Sequence, residues 1–431
     1  MPTLRSAVRP TLLSGWRTSR RRDLAGHLDH YGPLPPTGGD FARRFVQAVE
    51  AAGIAGRGGA GFPAAVKLEG HWALRRHGTL VVNAMEGEPA SSKDRAILTC
   101  APHLVVDGAQ LAAAAIGARS VVICVADDRD DMAEALAAAI AERRGTSQEL
   151  VAVTVARPPG RYVAGEESAL VGWLTNGRGV PAFRPERGVP LRLGRAPALV
   201  HNAETVAQMA LVAREAAGWW GAGDGTEATA GQDPEAAAGR TTLVTVSGAV
   251  ARPGVLEVVL GTPLAEIVAA ADPLEPPAAA LVGGFGGSWV RATQFSAPFD
   301  REGLRDLGAT PGAGVVMVVG RDCCGLAEVW RVATAMAGES TGQCGPCVYG
   351  LPAVADDLAL LVAGRGGHQT VARLTERLVM VTGRGACHHP DGVARMVATA
   401  LTVFDADVAA HVAGHPCRVA ARRSLVPLRA A

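Results

Sequence analysis

The sequence predicts an α/β layer sandwich, then a β-grasp module, then a small C-terminal helical bundle. Three observations carry this reading. Between residues 80 and 155, apolar runs of strand length alternate with segments of helical spacing, the pattern of a layered α/β fold. Two strands, a helix and further strands then follow between residues 241 and 320. From Leu326 onward the apolar periodicity is helical.

Taken in order, residues 1–40 read as a basic arm punctuated by Pro and Gly. Residues 41–52 have helical spacing and stop at Gly53. Residues 80–82 are a short strand feeding the loop at Asn83. Residues 102–117 read as a helix, 121–126 as a buried strand, 132–144 as a helix and 150–155 as a strand. Residues 166–174 form a helix with two carboxylates in its first turn, and the whole unit spans 41–220. The low-complexity stretch 221–240 reads as a linker. In 241–320, strands at 242–248 and 254–259 flank the turn Arg252-Pro253-Gly254, before a helix at 264–271 and a strand at 280–283. The segment 321–431 supplies helices at 326–337, 348–362, 370–382 and 392–404, with cysteines at its entry and in a later connector.

Composition narrows the function. A chain of 431 residues has room for two to four domains, and 48% hydrophobic content supports real cores. A net charge of +1 without a basic stripe gives no argument for nucleic acid. The apolar stretch 103–126 is interrupted by Asp107, Gln110, Arg119 and Ser120, so no membrane span is expected. The first 22 residues hold six arginines and no acid. They read as a basic tail rather than an organelle transit peptide. Eight cysteines in this length are no disulfide scaffold. Clustered toward the C-terminus, they point to metal chemistry in a reducing cytoplasm.

Of 42 basic residues only Lys67 and Lys93 are lysines, and each lies in a distinctive loop. Lysine is a compact, strongly hydrated point charge and arginine a planar fork, so a glycine-lined turn admitting a phosphate is a place for lysine. Gly56, Gly58 and Gly61 match the spacing of the dinucleotide fingerprint. That fingerprint needs a strand before it and a helix after it. Here a helix precedes and Pro63 follows, so the Rossmann reading fails. A glycine-dense loop with Arg57 and Lys67 still presents backbone N–H groups to a phosphate or a flavin. Two further segments stand out: Tyr162-Val163-Ala164-Gly165-Glu166-Glu167, and Val200-His201-Asn202-Ala203-Glu204-Thr205. Acids in a first helical turn and an Asn cap also explain these locally.

Together these segments, in this order over about residues 45–410, resemble the FMN- and NADH-binding flavoprotein subunit of respiratory complex I. The relatives of that subunit in NAD-reducing hydrogenases and formate dehydrogenases share the pattern. The resemblance implies that Gly56, Arg57, Gly58, Lys67, Asn83, Glu86, Tyr162, Gly165, Glu166, Val200, Asn202 and Thr205 hold FMN. It places Phe62, Glu88 and Glu167 toward the nicotinamide nucleotide, with Glu167 positioning it and restraining the flavin potential. It implies a β-grasp domain of the soluble-ligand-binding type. The implied activity is an NAD(P)H dehydrogenase passing hydride to FMN and single electrons to an iron–sulfur cluster. Implied partners are a 2Fe–2S or ferredoxin-like protein and a larger redox subunit.

The chain departs from the family at several positions. Met85 stands where an Asp is usual, and His201 where the paired Asn would be. Gly70 and Arg187 occupy aromatic positions, and Arg184 replaces a Lys. Fewer aromatic rings weaken a purine site, and two arginines attract a 2′-phosphate, which leaves NADPH open beside NADH. A carrier that uses no nucleotide, and a scaffold that keeps only the fold, stay open as well.

Glu339 to Cys347 resembles the family's first cluster segment, with Cys344 and Cys347 retained, and Cys387 matches the later ligand. A 4Fe–4S cluster usually takes four thiolates, and the first is Thr341 here. Three outcomes are open. The fourth ligand is not a cysteine; or it is Cys323, Cys324, His388, His389 or Cys417; or the site binds zinc. Cys100 and Cys124 read as small buried residues. His27, His30, His71, His77, His103, His368, His411 and His415 read as solvated. The stretch Gly283-Gly284-Phe285-Gly286-Gly287 reads as a flexible turn.

Overall fold

A computed structural model describes residues 11–74, 77–183, 189–217 and 240–415; residues 221–239 of the expected linker, Arg184, Arg187 and Cys417 lie outside them. The chain begins with α1 (Ser14–Ser19), α2 (Leu24–Tyr31), α3 (Phe41–Ala51) and α4 (Ala64–Trp72). Next come β1 (Thr79–Ala84), α5 (Lys93–Cys100), α6 (Pro102–Ile116), β2 (Ser120–Val125), α7 (Asp130–Arg143) and β3 (Ala152–Ala156). Then α8 (Glu167–Asn176), β4 (Leu191–Leu193), β5 (Ala196–Asn202) and α9 (Ala203–Ala216) complete the first layer set. The strands lie in the order β3-β2-β1-β5-β4. β1 runs parallel to β2 on one side and to β5 on the other. Leu80, Val81 and Val82 are fully buried, as a parallel strand covered on both faces requires.

Within the expected arm, residues 11–40 carry α1 and α2 and pack on the first core. Leu12, Leu13 and Tyr31 enter the core of the first sheet. The Leu12 and Leu13 N–H groups donate to the Glu257 carboxylate at 2.7 and 3.0 Å. A few apolar contacts outweigh the arginines around them, and composition alone does not reveal them. Helix α6 crosses α9 at Gly108, where any Cβ would overlap the Val206 carbonyl oxygen. Beneath this crossing lies Asp107, fully buried. It is ion-paired with Arg143 at 2.5 Å, with His27 Nε2 at 2.7 Å and with Arg214.

A second core follows in β6 (Thr241–Gly248), β7 (Gly254–Val259), α10 (Leu264–Ala270), β8 (Pro277–Val282), β9 (Ser288–Arg291) and β10 (Val315–Gly320). Its order is β7-β6-β10-β8-β9, with β6 and β10 parallel at the centre and the other pairs antiparallel. The chain then becomes helical: α11 (Gly325–Gly338), α12 (Leu351–Val362), α13 (His368–Val381), α14 (His389–Val403) and α15 (Asp405–Val412). A π-helical turn over Pro346–Gly350 precedes α12. Among the described residues no single helix is long and apolar enough to cross a membrane.

Four histidines expected in solvent are instead buried: His27, His71, His103 and His411. His27 is held by Asp107, His103 Nδ1 accepts from Arg143 Nε at 3.0 Å, and His411 Nε2 meets the Cys324 sulfur at 3.4 Å. For these three, partners remote in sequence make burial of the polar ring tolerable. Burial and the Arg143 charge press His103 down to about 3.

Candidate functional site

The chain leaves β1 toward β2 on one side, and β5 returns on the other. The carboxyl ends of β1 and β5 therefore flank a topological switch point, where open α/β sheets bind ligands. The residues in register there are Asn83 and Asn202. Asn83 Nδ2 donates to Gly165 O at 2.7 Å, and its Oδ1 accepts from Met85 N at 3.1 Å. Asn202 Nδ2 donates to Asn83 O at 3.1 Å and to Asp94 at 2.9 Å. Its Oδ1 caps α9 through Glu204 N at 3.0 Å. One residue thus ties two strand ends together and aims a helix N-terminus at the crevice, a ready site for an anion.

The glycine loop closes over the same end. Gly56 N donates to Phe62 O at 2.8 Å, and Arg57 N donates to Thr205 Oγ1 at 2.9 Å. Gly58 has open space on its Cβ side save for Asn202 Cβ at 3.7 Å, and Gly59 has nothing there. A side chain would fill this cradle, so its shape suits a bulky phosphorylated ligand. The Arg57 side chain is buried and turns toward the second sheet, its Nη2 3.4 Å from Thr241 O and its Nε 3.9 Å from Glu204. Only the backbone of Arg57 faces the loop's interior.

Lys67, one turn into α4, donates to the Glu167 carboxylate and to Val200 O at 3.3 Å. It joins the α4, α8 and β5 sides of the crevice with one positive charge. Below it His201 is buried, and its Nε2 has no hydrogen-bond partner among the described residues. Burial, then the charges of Lys67 and His71, hold His201 near 3. The unfolded chain takes up a proton near 6.5 that the folded chain refuses. Stability is therefore full above about pH 6.5 and lost as the pH falls toward 3. His201→Asn is expected to flatten that loss by up to about 1.4 kcal/mol per pH unit. Urea unfolding at pH 7 and pH 5 checks it.

The carboxylates divide by role. Glu86 adopts φ +45, and its buried carboxylate accepts from Asp94 N, Arg95 N and Ser91 Oγ at 2.9, 3.0 and 3.0 Å. Burial and the neighbouring Asp94 push its pKa up. Glu166 caps α8 through Ser168 N and Ala169 N. Glu167 stands beside Lys67, partly exposed at the mouth. Phe62 is 47% exposed beside the glycine loop. Lys93 is buried between Asp94 at 2.8 Å, Asn202 at 2.9 Å and Glu204 at 3.2 Å. The second lysine is thus a structural clasp behind the crevice.

The glycine stretch 283–287 is a packed seam rather than a flexible turn, which sequence reading missed. Phe285 N donates to Glu88 at 3.0 Å, and Arg395 donates to Gly286 O. A Cβ on Gly286 would lie 3.3 Å from Gly392 Cα and 3.6 Å from the Tyr162 hydroxyl. The loop therefore wedges between the first sheet's loops and α14. Gly286→Leu is expected to cost about 1–3 kcal/mol by overpacking. Hydrogen exchange should show lost protection at the Phe285 amide.

Across this seam lie Cys344, Cys347 and Cys387. Cys347 is buried and Cys344 half-buried. The charges of Cys344 and Cys387 act on Cys347, and burial with those neighbours raises its thiol to about 12. The nearby Ser340 hydroxyl and His389 N–H favour the thiolates of Cys347 and Cys387. Soft sulfur donors with N–H and O–H partners suit iron–sulfur chemistry. Among the described residues no three His, Cys, Asp or Glu side chains close on the position of one metal ion. Cys323 and Cys324 sit at the other end of α11, about 21 Å along a 14-residue helix. His389 Nε2 is engaged with Met336 O at 2.9 Å, and the His388 ring is 94% exposed on Asp391. Tyr162 N donates to Glu339 at 2.9 Å and the Tyr162 ring lies 5.3 Å from that of His389, which links crevice and cysteines.

Comparison with known proteins agrees with this layout. Residues 49–211 match the Nuo51 FMN-binding domain, 243–271 the SLBB domain, and 327–411 the NADH-ubiquinone oxidoreductase-F iron-sulfur binding region. The chain is 31% identical over 395 residues to the first of two NADH-quinone oxidoreductase F subunits of Rhizobium meliloti (strain 1021), covering 86% of each. It is 29% identical over 402 residues to the NADH-quinone oxidoreductase F subunit of Mycobacterium bovis (strain ATCC BAA-935 / AF2122/97), covering 88% of this chain and 87% of that one. Its fold superposes on an NAD+-reducing [NiFe]-hydrogenase with TM-score 0.78 and 30% identity, over 94% of this chain and 67% of that one.

Proposed function

Given that the chain belongs to the family of NADH-quinone oxidoreductase F subunits, we propose that it takes hydride from NADH onto FMN and passes single electrons to an iron–sulfur cluster and a larger redox partner. The observation that carries this reading is the meeting of the glycine loop, Lys67, Asn83, Gly165, Val200 and Asn202 at the carboxyl ends of β1 and β5. FMN supplies the exchange between a two-electron hydride and single electrons, and the cluster supplies one-electron acceptance.

The protein's own part is binding and orientation. The loop's later backbone N–H groups, from Gly58 to Gly61, and the α9 N-terminus would receive the phosphate. Lys67 adds a positive charge that Glu167 and Val200 O hold in place. Asn83, Glu86, Tyr162, Glu166, Asn202 and Thr205 fix the loops around the ring through the hydrogen bonds described above. Exposed Phe62 offers a face for the nucleotide, and Glu167 positions it at the mouth. Glu88 acts from behind, bracing the loop against Phe285. Hydride transfer between rings held in near-attack geometry needs no acid or base from the protein.

The division into an arm (1–40), an FMN domain (41–220), a linker (221–240), a second domain (241–320) and a cluster domain (321–431) belongs to the same reading. The central parallel pair β6 and β10 with α10 supports a β-grasp form for the second domain. A 2Fe–2S or ferredoxin-like protein is the proposed immediate partner. Arg184 and Arg187 favour NADPH as a second reading. The test is NADH-dependent ferricyanide reduction by FMN-loaded protein. Steady turnover is expected; its absence with flavin bound overturns the proposal.

A further inference from the structure

Cys344, Cys347 and Cys387 lie near enough to act on one another, and the cluster segment's first ligand position holds Thr341. Thr341 occupies the first ligand position of the cluster segment and is exposed to solvent. It lies in a tight turn, with Gly342 at φ +69 and Gly342 N donating to Ser340 Oγ at 3.0 Å. A hydroxyl is a hard donor and a weak match for the iron of a sulfide cluster. The described alternatives are engaged elsewhere. Cys323 faces Glu275 at 3.7 Å, and Cys324 pairs with His411 and caps α11, both a helix length away. His389 is bonded to Met336 O, and His388 stands in solvent with its Nδ1 on Asp391.

Resting on the cluster reading above, we infer that this chain holds a 4Fe–4S cluster by Cys344, Cys347 and Cys387 with one iron unliganded by protein at Thr341. That iron faces solvent and takes an exogenous ligand, a small soft anion such as a low-molecular-weight thiolate or cyanide, with water at rest. The consequence is a binding site on the metal and a labile corner. One-electron oxidation by ferricyanide then releases that corner: the dicationic 4Fe–4S cluster yields a monocationic 3Fe–4S cluster and one Fe2+, and the electron reduces ferricyanide to ferrocyanide. No sulfide is lost and the three cysteine bonds stay intact.

The experiment uses the full chain, reconstituted anaerobically with iron and sulfide, as wild type, T341C and C417S. After stoichiometric ferricyanide, ferrozine measures released iron and electron paramagnetic resonance follows the cluster. The wild type is expected to release one iron per cluster and to develop the signal of an oxidised 3Fe–4S centre. T341C is expected to retain its iron and stay silent. Added cyanide or 2-mercaptoethanol should change the spectrum of the dithionite-reduced wild type and leave T341C unmoved. C417S should match the wild type. A wild type that keeps all its iron and ignores cyanide, as T341C does, overturns the inference. So does a C417S variant that alone becomes labile, since Cys417 is then the fourth ligand. Absence of iron and sulfide from both wild type and T341C overturns the cluster reading itself, while flavin binding is untouched.

Discussion

Replacing Lys67 with methionine is expected to weaken FMN binding roughly 10- to 150-fold. The side chain stays long and apolar enough to pack on α4, so the change isolates the charge. Its ammonium is held by Glu167 and Val200 O at the crevice that the glycine loop covers. A charge-assisted hydrogen bond is worth about 1.5–3 kcal/mol, and each 1.4 kcal/mol is tenfold in affinity. The loss should be larger still for FMN than for riboflavin if the charge serves the phosphate. Lys67→Arg is expected to restore only part of the affinity, because the planar fork does not reproduce a point charge in this turn. Quenching of FMN fluorescence reads all three values. Equal affinity in wild type and methionine variant would remove Lys67 from the site.

The largest structural effect is expected at Asp107. Asn is nearly isosteric but leaves Arg143 and Arg214 buried without their shared anion. Breaking a buried ion pair from one side costs about 3–5 kcal/mol. At about 2–4 °C per kcal/mol for a body of this size, Tm should fall by roughly 6–20 °C. The two arginines hold Asp107 well below the usual carboxylate range. Its contribution is therefore complete above pH 4 and lost only as the pH falls through that lowered value. Asp107→Asn should depress stability equally at pH 6 and pH 8, unlike His201→Asn, whose effect is confined below about pH 6.5. Calorimetry at both pH values separates them. A Tm change under 3 °C would mean the network contributes little.

The local frame of the crevice was legible in the sequence because it rests on short-range signals. The acids at the start of α8 and the Asn202 cap of α9 fall where local spacing placed them, while the glycine loop, Lys67 and the Asn83 loop stood out by residue type. The alternation from α6 to β3 was readable for the same reason: each element has one strong apolar run. The unread parts depend on distant partners. Helix α9 is buried on every side, so its Ala-rich sequence shows no amphipathic contrast. The direction of Arg57 is set by Thr241 and Glu204, and that of Glu88 by Phe285, nearly 200 residues away. The packed glycine seam was visible as a motif, but its role lies in Tyr162, Gly392 and Arg395, which only the fold assembles. Buried His27 and His411 belong to the same class, each neutralised in cost by one remote partner.

The most direct measurement is an anaerobic titration of FMN-loaded protein with NADH and then, separately, NADPH, following the flavin absorbance band. The account predicts prompt bleaching by NADH at about one equivalent per flavin, with NADPH slower. Flavin that stays oxidised with both nucleotides, yet bleaches with dithionite, would contradict it.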